Sequence, residues 1–345
     1  MMNRHRFSRQ VRRGAVGCAA VLALMLAAGV LSGCSQAKPN QFDSNYIRAA
    51  FPSIPDFQDL PTLMALDLLE QQGYVIVPTF YSQAELAVEA LARGEADIGF
   101  GSTRTYWAGV QEGAAIKTIM EQTGNSWSVA GLVEIQQCSD FDGRRMGVHS
   151  EGSVSMAMLT AYIDENCPEI DPQILIIPGS QNRAAALLAN ELEATPLELA
   201  DVVQLLDQDP VRFHVVVDFA DRLPELVATG VHVSTEYAAN QPQAIHDLVR
   251  AILTVHRQIA ESPEILASKA DEILELPEDS FTPVLQAHQR VNAWDLNGGF
   301  SRQAIEYSLG FYIDAGSLEP GLTVDDVAEL SYLNAVLSDL GSVAP

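Results

Sequence analysis

Six histidines lie beyond the first 34 residues: His149, His214, His232, His246, His256 and His288. Histidine is the side chain best suited to proton transfer near neutral pH and a common metal ligand. Here the spacing supports neither role. His-Glu-x-x-His does not occur, no cysteine pair has metal-ligand spacing, and Gly-x-Ser-x-Gly is absent. The phosphate-binding lysine loop and the paired-glycine dinucleotide fingerprint are absent as well. His149 stands at a strand end ahead of a helix, but no residue in the sequence identifies itself as its catalytic partner, so a structural or ligand-contacting role is expected. No metal, no cofactor and no enzymatic activity are expected. What the chain does offer is binding chemistry, in four turns built of small polar residues: Phe51-Pro52-Ser53, Gly101-Ser102-Thr103-Arg104, Ser150-Glu151-Gly152-Ser153 and Pro178-Gly179-Ser180-Gln181. Placed between a strand and a helix, such turns present free backbone N–H groups and the positive end of a helix dipole. Helix capping is their ordinary use. Four of them in one chain point to a ligand.

For those turns to converge, strand and helix must alternate. Asn45 to Phe51 is a short apolar strand, broken by Pro52-Ser53-Ile54-Pro55-Asp56. Leu60 to Gln72 has helical spacing and Gly73 ends it. Tyr74 to Phe80 is β-rich. Ser82-Gln83-Ala84-Glu85 reads as a capping box for a helix running to Arg93, closed by Gly94. Ala96 to Phe100, Ile116 to Met120 and Ser128 to Ile135 read as strands. The pattern then restarts with a strand over Arg145 to His149, a helix from Ser153 to about Glu165, a strand over Gln173 to Ile177 and a helix over Asn182 to Ala189. Thr195-Pro196-Leu197-Glu198 has the form of a capping box with proline at the first helical position, so a helix is expected there. Phe213 to Asp218 is a strand. From Pro242 the chain is mostly helical, with starts at Ser262-Pro263-Glu264 and Thr323-Val324-Asp325-Asp326. The alternation predicts an α/β fold with mainly parallel strands, in which ligands sit beyond the carboxyl ends of the strands.

The chain has 345 residues, 48% of them hydrophobic, with 45 acidic side chains against 20 basic ones. The hydrophobic share excludes wholesale disorder. The net charge of −25 excludes a nucleic-acid partner and a polybasic grip on anionic lipid. Five of the basic residues, Arg4, Arg6, Arg9, Arg12 and Arg13, precede an uncharged run from Gly14 to Gly33. A basic segment, an apolar segment and small residues in that order form an export signal. The uncharged run is also long enough for one membrane-spanning helix. Leu31-Ser32-Gly33-Cys34 decides for the first reading, because it resembles the bacterial lipobox, which is cut before the cysteine and carries lipid on its sulfur. Arg12-Arg13 is a weak hint of twin-arginine export. Residues 1–33 are then the signal peptide and 34–44 a polar tether. Acyl chains on Cys34 would anchor the protein on the extracytoplasmic face of the cell membrane.

The order of segments resembles the solute-binding lipoproteins of bacterial ABC importers, in the group serving aliphatic sulfonates, taurine, nitrate and thiamine-pyrimidine precursors. The resemblance covers about Asn45 to Gly341. Its most specific stretches are Ala90-Leu91-Ala92-Arg93-Gly94-Glu95-Ala96-Asp97-Ile98-Gly99, Asp140-Phe141-Asp142-Gly143-Arg144-Arg145-Met146-Gly147-Val148, and Gly152-Ser153. A second copy of the first runs from Ala184 to Thr195, with Asn190 in the place of the glycine and Glu193 in that of the aspartate. The cysteine-rich iron motif of the pyrimidine-synthesising relatives is absent from the sequence. The resemblance implies a two-lobed type 2 periplasmic-binding-protein fold: two mixed, mainly parallel sheets flanked by helices and joined by two hinge strands near Val129–Ile135 and Leu226–Val233. Lobe one would be residues 45–134 plus 227–345 and lobe two residues 135–226. The implied partners are a small polar or anionic solute in the cleft and the importer's permease with its ATPase, the protein itself being a monomer. An enzyme on the same fold and a ligand-loaded sensor for a membrane receptor are the alternatives.

By the resemblance, Ser102, Thr103 and Arg104 face Ser150, Gly152 and Ser153 across the cleft. Pro52, Ser53, Gln181, Glu198 and Trp294 complete the expected contacts. Arg104 is suited to a sulfonate, phosphate or carboxylate, and Arg183 is a second basic candidate. Glu151 and Glu198 favour instead an amine or a neutral polar ring. Trp107 and Trp127 are further aromatic candidates, more often core than stacking platforms. Within lobe two, Cys138 precedes the first strand and Cys167 ends the helix that runs back beside it, so the two are expected to pair as a disulfide on the rim away from the cleft. The lipobox reading has a direct test. Changing Cys34 to Ala should move the protein from the membrane fraction to the soluble one, whereas a variant still bound to membranes identifies a retained helix.

Overall fold

The computed structural model describes residues 45–274 and 278–344. The export segment, Cys34 and the tether lie outside the described residues. The first half of the chain lays down β1 (Tyr46–Phe51), α1 (Leu60–Gln71), β2 (Val75–Phe80), α2 (Ala84–Ala92), β3 (Ile98–Ser102), α3 (Thr103–Gln111) and β4 (Ile116–Glu121). It then forms β5 (Trp127–Leu132), β6 (Arg145–Val148), α4 (Val154–Asn166), β7 (Gln173–Ile176), α5 (Ser180–Leu188), β8 (Ala194–Glu198), α6 (Leu199–Gln208), β9 (Phe213–Asp218) and α7 (Phe219–Arg222). The remainder is β10 (Thr229–Ser234), α8 (Thr235–Asn240), α9 (Pro242–Glu261), α10 (Ile265–Leu274), α11 (Glu278–Arg290), α12 (Arg302–Asp314), α13 (Val324–Val327) and α14 (Ser331–Leu340).

The strands build two five-stranded sheets of identical plan, ordered β2-β1-β3-β10-β4 and β7-β6-β8-β5-β9. In each, four strands run one way and one runs against them. β10 is antiparallel to both β3 and β4, and β5 to both β8 and β9. The reversed strand is in each case the first that the chain forms after leaving the other sheet. The two crossings, residues 122–126 and 219–228, are tied together. Asn125 donates from Nδ2 to the carbonyls of Phe219 and Leu223 at 3.0 and 3.1 Å. The Thr229 hydroxyl accepts from Thr123 N–H and donates to the Thr123 carbonyl. The expected architecture, two mixed α/β sheets flanked by helices, is the one observed.

The duplicated sequence stretch has a structural counterpart. Gly94 and Asn190 both end a helix with positive φ, 68° and 61°, and asparagine is the side chain that best tolerates this left-handed conformation after glycine. Three residues on, Asp97 accepts the Arg48 N–H at 2.8 Å, and Glu193 accepts the Arg145 N–H at 3.1 Å. In each sheet one carboxylate thus pins the start of an inner strand to its neighbour.

One element departs from the sequence reading. Thr195-Pro196-Leu197-Glu198 does not open a helix; it is the body of β8, and α6 begins only at Leu199. The strand is fully buried between β6 and β5, and the Thr195 hydroxyl that should cap a helix donates to the Gly147 carbonyl at 2.7 Å. Burial of the whole segment outweighs a local capping signal worth about 1 kcal/mol.

Cys138 and Cys167 form the expected disulfide, with Cα atoms 5.9 Å apart. Both residues are buried, in the turn before β6 and at the end of α4. The loop it closes, across a sequence separation of 29, corresponds to roughly 3–4 kcal/mol in the chain-entropy model. Reduction should therefore lower the melting temperature by several degrees while leaving solute affinity unchanged; calorimetry and titration with and without reductant check both halves.

Candidate functional site

Because each sheet contains one reversed strand, the carboxyl ends of its parallel strands and the amino end of the reversed strand lie at the same edge. Those edges face each other across a cavity of about 50 Å³. Pro52 and Ser53 follow β1, Gly101 and Ser102 end β3, Gln122 follows β4, His149 follows β6 and Glu198 ends β8. Trp127 and Thr229 are the first residues of β5 and β10. Gln58 and Asp59, Ala84, and Ser153 to Ser155 close the wall. Its volume is well under the roughly 300–1,000 Å³ of small-molecule pockets.

Of the residues expected at the site, Pro52, Ser53, Ser102, Ser153 and Glu198 line this cavity. Ser150 and Gly152 stand at its border, in direct contact with the other half. The Glu85 carboxylate accepts from the Ser150 hydroxyl at 2.7 Å and from Gly152 N–H at 3.1 Å, and the Thr105 hydroxyl donates to the Gly152 carbonyl at 2.7 Å. Glu85 had been expected to cap its own helix from a box at Ser82. The N-cap is instead Gln83, with no side-chain cap, and the Glu85 carboxylate is spent on the opposite sheet's turn. A Cβ on Gly152 would lie 2.4 Å from Glu85 Oε1 and 2.7 Å from Arg104 Nη1, so a side chain there would displace the ends of both.

Arg104 therefore sits beside Glu85 at this contact and does not line the cavity. Thr103 is buried at the start of α3. Gln181 donates to the Pro55 carbonyl at 3.4 Å and lines a neighbouring groove of about 290 Å³ with Asp56 and Asp201. Trp294 lies in the interior, stacked on His288 with ring centroids 5.3 Å apart. Among the described residues no group of side chains is suited to hold a metal ion.

The sequence reading named Glu198 and Arg183 but missed Asp56, Asp59 and Asp201, which join them in a set of ionisable groups in and behind the cavity wall. Asp59 accepts from Gln122 Nε2 at 2.8 Å and from Asp56 N–H at 3.1 Å. Burial, and then repulsion from Glu198 for Asp56 and from Asp56 for Asp59, holds both carboxyls well above the usual range. Burial pushes Glu198 up to about 7 and Asp201 up to about 6. The one cation among them is Arg183, fully buried, which donates to the carbonyls of Pro196, Ile177 and Gly179. Its desolvation lowers it to about 10, opposed by Glu198, Asp201 and Asp56. His149, mostly by burial and secondly by Arg183, falls to about 4 and is neutral at pH 7. Its Nδ1 accepts the Gly179 N–H at 3.1 Å, which leaves the proton on Nε2. The signal that could have exposed this set was Asp56, Asp59, Glu198 and Asp201 all falling in or just after strand-to-helix turns, against one nearby arginine.

Residues 74–265, more than half the chain, match the model of NMT1/THI5-like proteins. The chain belongs to the NMT1/THI5-like family. No curated protein matches the sequence. Among solved structures, the periplasmic nitrate-binding protein NrtA from Synechocystis PCC 6803 superposes with a TM-score of 0.72 at 12% identity, covering 86% of this chain and 89% of that one. The alkanesulfonate-binding protein SsuA from Xanthomonas axonopodis, bound to MOPS, gives 0.68 at 14%, covering 83% and 99%. The ligand-binding component of an ABC-type import system from Staphylococcus aureus, with zinc bound, gives 0.66 at 14%, covering 85% and 99%. At these identities the likeness is one of fold: this member of the family has the two-lobed periplasmic-binding-protein architecture.

Glu198 ties this electrostatics to stability. Its folded carboxyl holds the proton more tightly than the ordinary value of 4.5, so the folded state is favoured at acid pH and loses that advantage as pH rises from about 4.5 through about 7. Glu198→Gln removes the part of the dependence that Glu198 carries. The variant should match the parent in melting temperature near pH 4.5 and exceed it at pH 8, as paired pH–melting curves will show.

Proposed function

We propose that this protein is an extracytoplasmic, lipid-anchored solute-binding protein that captures a small polar solute between its lobes and hands it to the permease of an ABC importer. The observation that carries the reading is the cavity itself. It lies at the facing edges of two sheets joined by two crossings, and it is bordered by hydrogen bonds that form only when those edges meet. Dividing the lobes at residues 122–126 and 219–228 puts the first boundary slightly ahead of the one expected at 134/135 and brackets the one expected at 226/227. Closure about such a pair of crossings is a hinge motion, and a transporter that selects the closed form senses the solute.

Several further points support the reading. The family assignment spans both sheets. The named structural relatives include nitrate- and alkanesulfonate-binding proteins and an importer component. Among the described residues no helix is long and apolar enough to cross a membrane, so attachment falls to the segment carrying Cys34. The protein acts as a carrier and turns nothing over.

Two measurements test this together. Small molecules released from the purified, denatured protein are identified by mass spectrometry and titrated back. The expected result is binding without turnover, with scattering that shows a more compact particle on binding. Glu85→Ala, which touches only the closing contact, should weaken that binding by about tenfold, since it removes about 1–3 kcal/mol from the closed form alone. Conversion of the solute to product, or unchanged affinity and shape, overturns the reading.

A further inference from the structure

The charge class of the solute follows from the cavity wall, given the solute-binding reading above. Two of its residues, Asp59 and Glu198, are carboxylates, and the wall includes neither lysine nor arginine. Acidic residues alone define no site, but this wall also presents polar atoms without partners. Gln58 and Trp127 are 8% and 5% exposed, yet Gln58 Oε1 and Trp127 Nε1 make no hydrogen bond, nor does His149 Nε2. A buried polar group left unpaired costs about 1–3 kcal/mol, so each of these marks a place where a ligand atom belongs. The hydroxyls of Ser102, Ser153 and Ser155, by contrast, are already engaged within the protein.

The unpaired atoms divide by chemistry. Gln58 Oε1 accepts; beside it the wall carboxyls of Asp59, which already takes hydrogen bonds from Gln122 Nε2 and Asp56 N–H, and of Glu198 are further acceptors. Trp127 Nε1–H donates, and so does His149 Nε2–H, because the other ring nitrogen is taken by Gly179. A bound anion would meet two carboxylates in the wall and two more, Asp56 and Asp201, behind it. Only Arg183 stands against them; it lies outside the wall, its Nε and Nη1 are held by three backbone carbonyls, and its Nη2 alone is unpaired. A cation meets the reverse situation: carboxylates whose burial is penalised and which a positive group relieves.

We propose that the cavity takes a small organic cation bearing a hydrogen-bond acceptor, its protonated amine seated against Asp59 and Glu198 and its acceptor end taken by the N–H groups of Trp127 and His149. The aliphatic anions that its structural relatives bind are poor ligands for this wall.

The test uses matched small probes on the purified mature protein at neutral pH: glycinamide and propylamine as cations with and without an acceptor, and ethanesulfonate and propionate as anions. Titration calorimetry and thermal shift are the readouts. Glycinamide should bind best, propylamine more weakly and the anions not at all. Asp59→Asn and Glu198→Gln, near-isosteric changes checked for folding by unliganded melting, should each weaken both amines by at least about tenfold. Trp127→Phe should weaken glycinamide and leave propylamine unchanged. Binding of the anions in preference to the amines overturns the charge assignment while leaving the carrier reading intact. Failure of every probe, together with conversion of the released solute to product, overturns both. An acid as the natural solute also overturns the charge assignment.

Discussion

The structure depends on one constraint: each sheet accepts a strand running against its neighbours. Parallel strands can only be joined by crossovers, which keep a chain within its own sheet. β5 and β10 escape this because each enters from the other sheet, and it enters at the edge where the parallel strands end. The reversal therefore puts the two crossings, Trp127 and Thr229 beside the carboxyl ends that carry Ser102, His149 and Glu198. The crossings and the cavity wall are built by the same pairing. The hydrogen bonds from Asn125 to Phe219 and Leu223, and those between Thr123 and Thr229, join the crossings into one unit.

Closure sets opposing forces against each other. The Glu85 carboxylate gains hydrogen bonds from Ser150 and Gly152, and Thr105 gains one to the Gly152 carbonyl. Bonds of this kind contribute about 0.5–3 kcal/mol each. Against them stands the removal of Asp56, Asp59 and Glu198 from water, which raises all three carboxyls. The two terms are of opposite sign. A hinge protein needs this balance, because a ligand can shift an equilibrium only by its differential affinity for the two states.

The arrangement separates support from recognition. Gly152, Glu85 and Arg104 meet at the border of the cavity, where the ends of the two charged side chains lie against the glycine. The Cys138–Cys167 bond and the paired carboxylates Asp97 and Glu193 lie at the other ends of their strands and fix each sheet internally. In the cavity wall, Gln58 Oε1, Trp127 Nε1 and His149 Nε2 are left without an internal partner.

The sequence by itself determined what is local. The alternation of strand and helix, the stops at Gly73 and Gly94, the left-handed position at Asn190 and the turns bearing Ser102 and Ser153 follow from periodicity and backbone sterics, which act over a few residues. The Cys138–Cys167 pair was also legible, since strand and helix lengths fix where the helix returns. Only the tertiary structure decided what depends on distant partners. Thr195 to Glu198 carry a helix-start signal, yet burial between two strands made them a strand. Ser82 to Glu85 carry a capping signal, yet the carboxylate serves a turn 65 residues away. Arg104 looked like the ligand's cation and stands at the closing contact instead. Asp56, Asp59 and Asp201 belong to no motif that marks them for burial. Desolvation is a property of the space a side chain occupies, and no spacing along the chain reports it.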